Sequence, residues 1–120
     1  MIVQNLASQK PFTTLDGSQI RSILDRTNAP VQNQSLAEAS LPPGVATERH
    51  HHKTLEEFYF ILEGSGTMEV DGHTRLVESG DAILIPPGAA HQITAGPAPL
   101  RFLCCCAPPY DHADVHFDPL

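Results

Sequence analysis

Apolar residues along this chain come in short packets. Residues 57–62, EFYFIL, alternate so that on an extended strand Glu57, Tyr59 and Ile61 share one face while Phe58, Phe60 and Leu62 share the other. Further packets fall at 34–41, 67–70, 74–77, 82–85, 91–94 and 100–107. Eleven prolines and eight glycines punctuate them. Pro42-Pro43-Gly44, Glu63-Gly64-Ser65-Gly66, Glu78-Ser79-Gly80-Asp81, Pro86-Pro87-Gly88 and Gly96-Pro97 read as turns, and Asp71-Gly72 is a dipeptide of tight hairpins. Short strands with turn signals at this density predict an all-β sandwich or barrel. One stretch, 18–25 (SQIRSILD), resists the pattern. Its Ile20, Ile23 and Leu24 sit at helical spacing, which leaves a short helix and an irregular edge strand both open.

Length and charge narrow the class. A chain of 120 residues fits one domain that hides roughly two-thirds of its unfolded surface, and no linker or repeat suggests a second. Seven Lys plus Arg against fourteen Asp plus Glu give a formal charge of -7, so the cationic surface that nucleic acid requires is missing. No apolar stretch approaches a membrane span, and no basic start leads into an apolar core. The three cysteines, Cys104, Cys105 and Cys106, are contiguous and cannot form a disulfide framework. A cytoplasmic, soluble protein is expected.

The chemistry concentrates at residues 49–60, RHHHKTLEEFYF. On an extended chain His50 and His52 point to one face and His51 to the other, so the run makes a pair rather than a triplet. Glu57 opens the next strand, and a hairpin would bring it within about 5 Å of the histidines. His91, 34 residues later, can return to the same place if the barrel closes. Three imidazoles and a carboxylate suit one divalent transition ion such as Mn, Fe(II), Ni, Co or Zn, with positions left for water or substrate. An HxH alone would more simply be a polar loop, but Glu57 and His91 argue against that reading. His51 is expected to be exposed, outside any ligand set.

These residues carry a family resemblance. Gly44, His50, His52, Glu57 and Gly64, at their spacing, resemble the first motif of the cupin family, and Gly80, Pro86, Gly88 and His91 resemble the second. Ala95 stands where the second motif usually has Asn, which bears on the local turn and not on the ligands. The resemblance implies a small jelly-roll barrel over 34–107, with His50, His52, Glu57 and His91 as metal ligands. It leaves 1–33 as an N-terminal segment packing on the barrel or on a partner subunit, and 108–120 as a tail.

Tyr59 shares the inward face with Glu57 and is the candidate catalytic residue, moving a proton at a bound substrate; the alternative is that Tyr59 and Ile61 merely line the barrel. Phe58, Phe60 and Leu62 would face outward and suggest a homodimer. The cysteines cannot all face one ion, since Cys105 opposes Cys104 and Cys106; they are expected to be small buried fillers, an oxidisable cysteine lining the cavity being the other reading. The tail, with Tyr110, His112 and His116, is expected to be solvated or packed on a partner, a lid over the barrel mouth being the other reading. Proteins with this resemblance include isomerases, lyases, decarboxylases, cyclases, Fe(II) dioxygenases and non-catalytic binders. Few cations are placed to hold a phosphate, because Arg49 should point outward with His51 and Arg101 can face either side. A neutral or carboxylate-bearing small molecule acted on through a carbonyl or enediol oxygen is therefore the expected substrate.

Overall fold

In the computed structural model, which describes residues 1–119, the alternation of EFYFIL becomes a strand whose Glu57, Tyr59 and Ile61 are buried and whose Phe58 and Phe60 are exposed. Among the described residues the strands are β1 (Phe12–Thr13), β2 (Gln19–Leu24), β3 (Ser35–Leu41), β4 (His50–His51), β5 (Glu56–Glu63), β6 (Ser65–Val70), β7 (His73–Glu78), β8 (Ala82–Ile85), β9 (His91–Ala95), β10 (Leu100–Ala107) and β11 (His116–Phe117). They form two sheets, one of six strands ordered β1-β2-β3-β10-β5-β8 and one of five ordered β11-β4-β9-β6-β7. Every pairing is antiparallel, and the chain switches sheets repeatedly after β3, which is the jelly-roll way of closing a barrel. Tyr59, Ile61, Ile85 and Phe102 from the first sheet meet Met68, Val77 and Ile93 from the second in a continuous core. No helix here is long and apolar enough to cross a membrane.

The stretch 18–25 is a strand, not a helix. Between Ser22 and Leu24 its register against β3 shifts, so Ile23 is an extra residue in the ladder. That bulge breaks the two-residue period and produces the helix-like spacing of Ile20, Ile23 and Leu24. Its neighbour β1 occupies the sheet edge, so β2 is an inner strand.

The turn expected over Glu63 to Gly66 is tighter than the sequence suggests. β5 runs to Glu63 and β6 starts at Ser65, leaving Gly64 alone between them at φ +85. A Cβ on Gly64 would lie 2.3 Å from the carbonyl oxygen of Pro99. At Ala95 the ladder is regular: the residue pairs with Gly66, and its N–H donates to Val45 O at 2.9 Å.

The tail is anchored to the barrel, although several of its residues are exposed. Pro109 is fully buried, Tyr110 N–H donates to Ser35 Oγ at 2.9 Å, and β11 pairs with β4 at the edge of the second sheet. Cys105 is exposed, which corrects the expectation of three buried fillers, whereas Cys106 is buried and Cys104 partly so. Arg49 pairs with Glu69, and Arg101 pairs with Glu38 and Glu63.

Two glycine substitutions should separate strain from collision. Gly44 (φ +73) has open space around it, so Gly44→Ala should cost about 1 kcal/mol from backbone strain alone. Gly64→Ala adds the backbone clash and should cost about 3 kcal/mol or more, read as a shift in the urea unfolding midpoint.

Candidate metal centre

Two sheets contribute to one buried point. β4 pairs with β9 through His50 opposite His91, so two imidazoles stand side by side, with ring centroids 4.3 Å apart. His52 lies two residues on, its ring 5.0 Å from that of His50 and 5.4 Å from that of His91. Glu57 comes from β5 in the facing sheet. The hairpin expected between the histidines and Glu57 therefore does not form: the carboxylate reaches them across the barrel, its Oε1 3.4 Å from His52 Nε2 and 3.5 Å from His91 Nε2. All four side chains are buried. One ligand atom from each histidine lies within 4.8 Å of those of the other two.

The hydrogen bonds behind the rings set their tautomers. His50 Nδ1 is 2.7 Å from Glu48 O, His52 Nδ1 is 2.9 Å from Asp114 O, and His91 Nδ1 is 2.9 Å from Ala89 O. A carbonyl only accepts, so each Nδ1 carries a proton and each neutral ring presents its Nε2 lone pair to the centre. Among the described residues, Glu57 Oε1 and His91 Nε2 have no hydrogen-bond partner although both are buried. Acceptors aimed at acceptors in a dry interior repel unless a cation lies among them. This donor set, imidazole nitrogen with one carboxylate oxygen, fits a divalent transition ion.

A proton competes for the same place. Burial works against charge on His52, but the neighbouring Glu57 carboxylate outweighs this and raises its pKa. Burial likewise works against charge on Glu57, and the adjacent imidazoles of His52 and His91 overcome it, holding Glu57 at about 2. His50 goes the other way, lowered by burial and then by the charge of His91.

Three side chains that the sequence reading passed over belong to this centre. Cys106, directly opposite Glu57 in the β10–β5 register, donates its thiol to Glu57 Oε2 at 3.2 Å. Burial and then the charge of Glu57 push that thiol far up, so it stays S–H and serves as a donor. Asp114, on the tail, holds His52 through its carbonyl, while its carboxylate accepts from Lys53 N–H at 2.8 Å and Thr54 N–H at 3.0 Å. Asp16, in the turn between β1 and β2, places Oδ2 4.0 Å from His50 Nε2. Register parity signals Cys106 once β10 is paired with β5; nothing local signals the other two. His51, expected to be exposed, is half-buried, paired with Asp118 and stacked on His116 at 5.1 Å, away from the centre.

A cavity of about 270 Å³ opens beside the imidazoles and is lined by Asp16, Tyr59, Phe102, Cys104, Tyr110 and Val115 among others. Tyr59 is 3% exposed, with its ring 4.6 Å from Phe102 and 6.1 Å from His91. Burial and then the charge of Glu57 push its pKa well above that of a free phenol, so it stays protonated in the cavity lining. Tyr110 hydrogen-bonds His112 Nδ1 at 2.9 Å and Thr14 Oγ1 at 3.4 Å, so the tail roofs the cavity. Arg26 is the one Lys or Arg along the lining among the described residues, and it lies 3.8 Å from Asp111.

The cupin-domain family matches residues 37–106, and the chain belongs to that family. It is 48% identical over 107 residues to an uncharacterised protein of Methanocaldococcus jannaschii, covering 88% of this chain and 86% of that one. It is 39% identical over 82 residues to the dimethylsulfoniopropionate lyase DddW of Ruegeria pomeroyi, covering 68% of this chain and 53% of the lyase. The solved structure of the polyketide cyclase RemF from Streptomyces resistomycificus superposes with a TM-score of 0.81 at 27% identity, over 100% of this chain and 87% of RemF.

Glu57 has a depressed folded-state pKa, so its stabilisation is present above the ordinary 4.5 and is lost as pH falls toward about 2. In chelator-treated protein, the stability deficit of Glu57→Gln relative to wild type should therefore shrink steadily through that window. Thermal unfolding across the range reads it; a deficit independent of pH would contradict the charge assignment.

Proposed function

We propose that the protein is a metal-dependent cupin enzyme acting on a small oxygen-bearing molecule, by isomerase-, lyase- or cyclase-type chemistry at a carbonyl, carboxylate or enediol oxygen. His50, His52, Glu57 and His91 hold one divalent ion, drawn from Mn, Fe, Ni, Co and Zn. The observation that carries this reading is the buried, unpartnered pair Glu57 Oε1 and His91 Nε2, which face each other with no donor between them. The ion would supply Lewis-acid polarisation of a substrate oxygen.

The chain's own residues do the rest. The carbonyls of Glu48, Ala89 and Asp114 keep the three rings turned inward, and the Cys106 thiol keeps Glu57 from rotating away. Tyr59, held as a phenol, donates a hydrogen bond or a proton to the substrate in the cavity. Phe102 and Val115 exclude water from the apolar side of the cavity, and the tail covers its mouth. The lyase and the polyketide cyclase similar to this chain support a small-molecule substrate. The free thiols Cys104, Cys105 and Cys106 accord with a reducing cytoplasm.

Metal analysis of tag-free protein tests the reading. Wild type should carry near-stoichiometric transition metal, and the His50→Ala, His91→Ala double variant less than about a tenth of it. Equal, negligible metal in both after reconstitution would leave a barrel that only binds. Iron as the native ion would redirect the reading to an oxygen-dependent reaction.

We also propose that a second copy of the chain covers the outer face of the six-stranded sheet. Phe58 is 51% exposed there, Phe60 42% and Leu84 55%, with Phe58 paired to Leu84 and to Cys105 in adjacent strands. Light scattering should give twice the 13.0 kDa chain mass for wild type and a monomer for Phe58→Asp.

A further inference from the structure

We propose that Asp16 sets the class of ligand admitted to the centre: molecules that bring a hydrogen-bond donor, a hydroxyl or N–H, beside the oxygen they offer to the ion, and not those that present acceptors alone. The inference rests on the metal-centre reading above and names the substrate class of that same site.

Asp16 lies in a turn that would ordinarily face solvent. The turn closes through Gly17 N–H to Thr14 O at 3.1 Å and Thr14 N–H to Ser18 O at 3.0 Å. Glu48 N–H donates to Asp16 O at 2.8 Å, which ties the turn to the segment leading into His50. One carboxylate oxygen is fully used: Oδ1 accepts from Ser18 N–H at 2.9 Å and from Ser18 Oγ at 2.6 Å. Ser18 is 1% exposed, so the carboxylate plane is held from beneath. The other oxygen, Oδ2, looks into the cavity toward His50 Nε2 at 4.0 Å.

That nitrogen presents a lone pair, because the Nδ1 proton of His50 goes to Glu48 O. An ion among the imidazoles satisfies Nε2. Asp16 Oδ2 would then remain an acceptor on the cavity side of the centre, within reach of a ligand held there. A ligand hydroxyl or N–H placed there gains a charge-assisted hydrogen bond. A ligand whose atoms there are all acceptors sets like charge against like.

The remaining charges of the cavity reinforce the choice. Asp25 and Asp111 line it farther out, and Arg26, the one guanidinium available, is within 3.8 Å of Asp111. A dicarboxylate that chelates through one end finds no free cation for the other. A hydroxy or enediol compound meets Asp16 with a donor, and its hydroxyl proton then has an acceptor in place, with no oxidant or second reactant needed.

Calorimetric titration of nickel-loaded protein with two chelating probes decides the matter. Acetohydroxamic acid keeps an N–H donor when it chelates; oxalate presents acceptors only. From wild type to Asp16→Asn, whose amide can donate while its oxygen still accepts from Ser18, the ratio of the oxalate Kd to the acetohydroxamate Kd should fall at least about tenfold. Asp16→Ala should fall between them. Each variant loses one negative charge near the ion, so nickel affinity should fall to a similar extent in both, and both should still load at excess nickel. An unchanged ratio, no binding of either probe to loaded wild type, or failure of Asp16→Asn to load at excess nickel each overturns the proposal. Wild type that takes up no nickel would instead refute the metal-centre reading beneath it.

Discussion

Everything around residues 50 to 57 answers one electrostatic constraint: buried acceptors converge where no protein donor reaches. Placing a carboxylate and three imidazoles in an apolar interior is unfavourable unless each polar atom is paired. The outer atoms are paired one by one. Three Nδ1 protons go to three backbone carbonyls, and Glu57 Oε2 takes the Cys106 thiol. The inner atoms, Glu57 Oε1 and His91 Nε2, meet no donor among the described residues, an arrangement that a cation would satisfy. Glu57 is depressed and His52 raised because, of the species the protein itself can supply, a proton is the one able to sit between them.

Much of this was legible in the sequence, because a period of two is a local property. It put His50 and His52 on one face, Glu57 and Tyr59 on another, and Phe58 and Phe60 outside, all without knowledge of pairing. What is not local was misread. The four-residue gap from His52 to Glu57 looks like a hairpin loop, yet it carries the chain from one sheet to the other. The histidine that does sit beside His50 in the ladder is His91, 41 residues away. The bulge at Ile23 gave β2 a helical spacing, and only the pairing with β3 overrides it.

Asp16 and Asp114 were missed for a related reason. Thr-Leu-Asp-Gly is turn chemistry at face value, and the polar, proline-started tail reads as solvated. Their roles come from where the turn and the tail are seated, through Glu48 N–H and Ser35 Oγ respectively. The period of two also sets Cys105 opposite Cys104 and Cys106; what it does not give is burial, since Cys105 is exposed, Cys104 lines the cavity and Cys106 donates to Glu57.

The centre is thus assembled from segments on either side of the central barrel strands. The core of Tyr59, Ile61, Ile85, Ile93 and Phe102 lies within residues 35 to 107, but Asp16 comes before it and Asp114 after it. The tail is seated by the β11–β4 ladder, buried Pro109, Tyr110 N–H on Ser35 Oγ, and hydrogen bonds from residues 53 and 54 to Asp114; the Asp16 turn is seated by β2 on β3 and by Glu48 N–H. An ion or ligand that requires His52 and Asp16 in place must, by linkage, hold both pieces down. An occupied centre would thus favour an ordered cavity roof, with the barrel as its support.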